Sequence, residues 1–117
     1  MHEQPVTFYA FLQSTGATNE DLELHRVPPG QRWRLHHVAA EDETTAFTSL
    51  RLGIKRGTTF LPLEEQISPA VDTLYSSQDP WYLEAGNVLV ARFNGTTSGD
   101  KLHLYVNGVA ISTEPQE

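Results

Sequence analysis

The chain contains no cysteine, which excludes disulfides, thiolate nucleophiles and thiolate metal sites. It contains no apolar run approaching the ~20 residues that a membrane-spanning helix needs, so no membrane partner is expected. The opening residues, Met1-His2-Glu3-Gln4-Pro5, lack the basic and apolar stretches of a signal peptide, so synthesis in the cytoplasm without signal-directed secretion is expected. Positive charge is scarce as well. Eight Lys and Arg stand against fifteen Asp and Glu, for a net charge of −7. A free duplex-binding protein normally carries a basic patch, so nucleic acid is not an expected partner. Six of the eight basic residues do fall between Arg26 and Arg56, and eight of the fifteen acids fall after residue 60. The simplest reading of that asymmetry is a solvated strand face whose charges pair across strands.

What remains is a composition suited to folding. With 117 residues, 38% of them hydrophobic and 20% charged, the sequence fits a single domain spanning 1–117. A chain of this length buries roughly two-thirds of its unfolded surface and needs no metal to fold. The polar ends, 1–5 and 113–117, read as mobile tails.

Between the tails the dominant period is two. Val6–Leu12 is rich in strand formers, and a turn cluster follows at Ser14–Asn19. Asp21–Val27 reads as a short strand ended by Pro28-Pro29-Gly30. Arg32–Ala40 alternates, with Trp33, Leu35, His37 and Ala39 on one face. Glu41-Asp42-Glu43 reads as a solvated turn. Ala46–Lys55 and Thr58–Leu63 read as a hairpin about Arg56-Gly57. Residues 64–80 read as an ordered loop with one short strand near Val71–Tyr75. Trp81–Leu83, Val88–Asn94, Lys101–Val106 and Val109–Ser112 complete the set, with Asn107-Gly108 as a bulge or tight turn. No segment carries twelve residues of helical periodicity. About eight or nine short strands with regular turns predict an all-β fold, an antiparallel β-sandwich of jelly-roll type with about eight strands.

The candidate chemistry is thin. Neighbouring strand residues face opposite ways, so His36 and His37 do not converge on one ion. His103 approaches His25 or His36 only if the strand order allows it. Gly30 and His36, with Glu41 after them, resemble the start of the first cupin motif, and a cupin-like metal-binding protein is therefore a second alternative. Val38 stands where the next histidine belongs, and Val88, Leu89 and Val90 stand where the second motif should close. Neither a Gly-x-Ser-x-Gly elbow nor a phosphate loop is present. Neither a catalytic residue, a metal ligand nor a cofactor is predicted, and the chain is expected not to be an enzyme. Asn94-Gly95-Thr96 matches a glycosylation sequon but reads as turn chemistry.

The aromatic residues carry more. Phe8, Tyr9 and Phe11 lie within four residues near a polar end, so residues 1–12 read as an arm or edge strand able to extend a neighbour's sheet. Trp33 alternates with Leu35 and belongs to the core. Trp81 and Tyr82 face opposite ways, leaving one of them free to stack on a ligand. This makes a carbohydrate- or receptor-binding module the alternative function.

Two stretches share a Gly turn set directly before a strand: Val27-Pro28-Pro29-Gly30-Gln31-Arg32-Trp33-Arg34-Leu35, and Leu83-Glu84-Ala85-Gly86-Asn87-Val88-Leu89-Val90-Ala91-Arg92-Phe93. The second continues through Gly95, Gly99-Asp100 and Lys101–Val109. This layout resembles small β-sandwich virion proteins of tailed bacteriophages, including capsid decoration (cement) proteins and related accessory proteins. The resemblance spans roughly residues 27–112. It implies a non-enzymatic virion protein that stabilises the particle by binding across capsid subunits. The implied partner is the major capsid protein or another virion protein, and the implied oligomer is a homo-oligomer with a trimer favoured. The residues expected to meet the partner are Phe8, Tyr9 and Phe11 from the arm and Arg34 and Arg51 from the basic stretch.

Overall fold

A computed structural model describes residues 3–77 and 79–112. The tails expected at Met1-His2 and at 113–117 lie outside the described residues. The regular elements are nine strands: β1 (Glu3–Gln13), β2 (Asn19–Glu23), β3 (Gln31–Asp42), β4 (Ser49–Arg56), β5 (Thr59–Ile67), β6 (Tyr75–Ser76), β7 (Trp81–Leu83), β8 (Val88–Asn94) and β9 (Lys101–Ser112).

They form two antiparallel sheets. The first runs β1-β9-β3-β6, with β7 also on β3, and the second runs β2-β8-β4-β5. β6 meets β3 at Ala39 and Ala40 and β7 meets it at Trp33–Leu35, so the two short pieces share one interrupted edge. Only the β4–β5 hairpin and the β6–β7 step stay within a sheet; every other connection crosses to the opposite sheet. That wrapping is a jelly roll, the architecture read from the sequence.

Alternation supplies the core. Leu102, Leu104 and Val106 of β9 and Trp33 and Leu35 of β3 face Leu50, Leu52 and Ile54 of β4 and Leu89, Ala91 and Phe93 of β8. Phe8, Ala10 and Leu12 of β1 pack against its margin.

Several boundaries differ from the sequence reading, each for a local reason. Glu3–Pro5 are strand rather than tail, because β1 pairs with β9 from Glu3↔Ile111 to Gln13↔Lys101. β9 runs unbroken through Asn107-Gly108, where a bulge or tight turn was expected. The irregularity sits instead on β3, as a bulge between Leu35 and His37. Gly108 makes room for it, since a Cβ there would lie 2.2 Å from the Arg34 carbonyl oxygen. The bulge reverses the alternation, so Val38 and Ala40, rather than His37 and Ala39, share the inner face with Trp33 and Leu35. β2 is shorter than expected and β4 begins at Ser49. β5 extends to Ile67 across residues expected to be loop, with a second bulge opposite Leu52-Gly53 that leaves Leu63 unpaired. The segment after β5 is tied to the body by Ser68 N–H to the Thr48 carbonyl, Phe47 N–H to Pro69 and Asp72 N–H to Asp42.

The expected solvated turn at Glu41–Glu43 is corrected too. Glu41 and Asp42 end β3, and Asp42 is fully buried at the end of the sandwich, close to the buried Asp100. Asp42 Oδ1 accepts from the Thr44 and Thr45 amides, and Asp100 Oδ2 accepts from the Thr45 hydroxyl and the Thr97 amide. Asp42 Oδ2 has no donor. Burial, and then contact with Asp100, push the Asp42 carboxyl up to about 6. Burial works to raise Asp100 also, but the hydrogen bonds from Asp42, Thr45 and the Thr97 amide outweigh it and hold that carboxyl low.

Candidate functional site

The register places the predicted contact residues on different surfaces. β1 alternates, so Phe8 points inward and stacks on Trp33 with ring centroids 4.8 Å apart. It is a core-margin residue and not a free contact, a correction to its expected role. Tyr9 and Phe11 point outward and are 55% and 48% exposed. Trp81 is 4% exposed and Tyr82 60%. Of this pair, one of which was expected to be free to stack, Trp81 belongs to the core and Tyr82 is open to solvent. Arg34 sits on the outer face of the first sheet, in register with Tyr82 and Val109, with Nη2 3.5 Å from Glu3 Oε1. Arg51 lies on the second sheet and pairs with Glu65.

Four of these residues, Tyr9, Phe11, Arg34 and Tyr82, thus share the outer face of the first sheet. Pairing brings further groups beside them. Tyr9 stands opposite Tyr105, which stands opposite Ala39; Phe11 stands opposite His103, which stands opposite Glu41. The rings form one contiguous cluster: Tyr9–Tyr105 5.2 Å, Phe11–His103 5.3 Å, Tyr9–His103 5.8 Å and His103–Tyr105 6.0 Å between centroids. Beneath it His103 is 9% exposed. The Tyr9 hydroxyl lies 2.6 Å from His103 Nδ1, and His103 Nε2 lies 2.7 Å from Glu43 Oε1. With the proton on Nε2 both contacts are satisfied, Tyr9 donating to Nδ1 and Nε2–H donating to Glu43. Tyr105 donates to Glu41 Oε1 at 3.3 Å. Burial, then the Glu41 carboxylate, hold the Tyr105 phenol above its ordinary range, so it stays a donor.

Hydroxyl, imidazole and carboxylate in series have the connectivity of a nucleophilic triad. The surroundings do not suit acyl transfer. The neighbouring polar groups on the face include the carboxylates Glu41 and Glu43, which would repel a developing oxyanion rather than stabilise it.

The outer face of the second sheet is a ladder of paired charges. Arg92 makes two hydrogen bonds to Asp21, at 2.7 and 2.9 Å, and its guanidinium lies 4.2 Å from the Phe60 ring centroid. Lys55 bonds Glu23 at 2.6 Å, and Arg51 pairs with Glu65. The hydrogen bond from Arg92, against the opposing effect of burial, holds the Asp21 carboxyl low. Of the basic stretch of the sequence, Arg51 and Lys55 are paired within the protein here.

Among the described residues the histidines do not converge. His25 packs edge-on to Phe8 and Trp33 on the inner side of the first sheet, and His103 lies on its outer side. Among the described residues no three His, Cys, Asp or Glu side chains gather as a metal site. The convergence that a cupin-like centre requires is absent from these residues.

A third surface had little signal in the sequence. Between β5 on one sheet and β6–β7 on the other, the sandwich edge is open. Leu61, Leu63, Ile67, Val71, Leu74 and Tyr82 are six of the eight exposed large hydrophobic residues, and they fall within this stretch of chain. Grooves here reach the core residues Leu50, Leu52, Ile54 and Trp81, with Glu64 and Tyr75 on their walls.

No family model matches the chain, and no curated protein matches it. Among solved structures it is similar to one described as "CBM4 structure and function", at 15% identity over 91% of this chain and 83% of that one, with a TM-score of 0.36. The chain is an all-β, antiparallel jelly-roll sandwich by its own strand order.

Proposed function

We propose that this protein is a non-enzymatic assembly module, a decoration or cement protein on the particle of a tailed phage, that acts as a homo-oligomer bound across other virion subunits. The observation that carries this reading is the open edge. Leu63 and Tyr82 line one groove of this edge and Leu74 lines the other, three large apolar side chains between 45% and 60% exposed, where β5 and the β6–β7 edge have no outer partner strand among the described residues. Edge strands in stable monomers are usually covered or charged, and a concentrated apolar patch marks a contact surface. At roughly half exposure, these three side chains present on the order of 200 Å² of apolar surface, about a quarter of the ~800 Å² that each partner buries in a standard interface, and the groove walls supply the rest. A neighbouring copy of the chain is the occupant that this area suits, and a head-to-tail contact that closes gives a ring such as a trimer.

Two measurements test the reading. Native mass spectrometry should show a closed oligomer, and the double variant Leu63→Asp/Leu74→Asp should be a folded monomer. Particles banded on a density gradient from a culture carrying the gene should contain the chain in stoichiometric copies. A wild-type monomer refutes the edge as a self-contact, and a chain found only in the particle-free fraction refutes the virion assignment.

A further inference from the structure

We infer that the outer face of the first sheet, where Tyr9, Phe11 and Tyr105 surround the buried His103 beside Glu41 and Glu43, is a binding site for neutral hexose oligosaccharides. The surface is separate from the open edge, and its ligand is independent of the oligomeric state.

The chemistry of the face selects the ligand class. A pyranose ring has an apolar C–H face and a rim of hydroxyls. Tyr9 and Phe11 offer exposed π-faces to the first, and Glu41 and Glu43 offer acceptors to the second. Tyr9 and Phe11 alternate along β1, so they stand about 7 Å apart and serve adjoining rings of a short chain. A polyanion meets two carboxylates. A polycation meets Lys101, which lies on the same face next along β9. A ligand rich in hydroxyls and without charge fits best.

The platform is also built in advance. The Tyr9 hydroxyl is held by a histidine that is itself nine-tenths buried and fixed by Glu43, so the ring is oriented before any ligand arrives. Pre-orientation removes much of the side-chain entropy cost of binding.

The test uses the full chain on a microarray of neutral hexose oligosaccharides, with the strongest responder carried into isothermal titration calorimetry. Binding is expected to weaken about tenfold or more in Tyr9→Ala and in Phe11→Ala, and by less than about twofold in Arg32→Ala at the far end of the same face. Tyr9→Phe keeps the ring but frees it from His103, and should lose affinity by an intermediate factor with the fold intact by thermal melting. Three results overturn the proposal: no binding to any neutral oligosaccharide at about 10 mM; equal affinity in the folded Tyr9→Ala/Phe11→Ala double variant; or capture of oligolysine in place of sugar.

Discussion

Replacing Asp42 by asparagine should stabilise this protein at neutral and alkaline pH, which inverts the usual result of altering a fully buried polar residue. Asp42 Oδ1 accepts from two backbone amides at 2.9 and 3.2 Å, contacts that an asparagine carbonyl keeps. Oδ2 has no donor and lies by Asp100. The amide nitrogen of asparagine placed there donates to Asp100 without a borrowed proton. A carboxyl whose folded pKa lies above its unfolded value stabilises the fold fully below the unfolded value, and that stabilisation is lost as pH rises through the folded value. For Asp42 the window runs from 3.8 to about 6. A shift of about two units at ~1.4 kcal/mol each makes the wild type roughly 3 kcal/mol less stable above the window than below it. Asp100, held low, works in the opposite direction, and the two titrate as a pair, so about 1–3 kcal/mol is the net effect expected. In thermal melts between about pH 3 and 8, Asp42→Asn should match the wild type at the acid end and exceed it by about 5–15 °C at the alkaline end. A variant less stable than wild type at about pH 8, or one offset equally at every pH, refutes the shared-proton account.

Two further substitutions probe the frame. Gly108→Ala should destabilise by about 2 kcal/mol or more in urea titration, because its Cβ meets the Arg34 carbonyl and Leu35 Cα at 2.2 and 2.7 Å, backbone that cannot move without opening the bulge. Arg92→Met should cost about 1–2 kcal/mol and raise the Asp21 carboxyl toward its ordinary range, a shift read directly by NMR titration.

The sequence made strands legible and pairing illegible. Alternation located the strands that carry Trp33, Leu50 and Phe93, because a half-buried sheet imposes period two on its own residues. It could not show that Tyr9 and Phe11 meet Tyr105 and His103, since those partners come from the far end of the chain and only strand order joins them. Bulges were hidden for a related reason. The glycine at 108 marked an irregularity, but the extra residue lies on the partner strand at His36, which shifted the inward set to Val38 and Ala40. Asp42 and Asp100 looked like turn acids because they flank polar runs, and burial at the end of a sandwich has no local signature. The open edge was missed because β5 mixes leucines with Pro62, Glu64 and Glu65, which blurs any period.

The pairing of β1 with β9 also sets a timetable. The strand made first must wait for the strand made last, while β9 in turn templates both β1 and β3. Until then Tyr9, Phe8 and Phe11 are carried on an unpaired extended segment, which is a hazard at high synthesis rates. Folding should therefore be slow and nearly all-or-none, and a chain interrupted before Lys101 would lack the centre of its first sheet rather than a dispensable end.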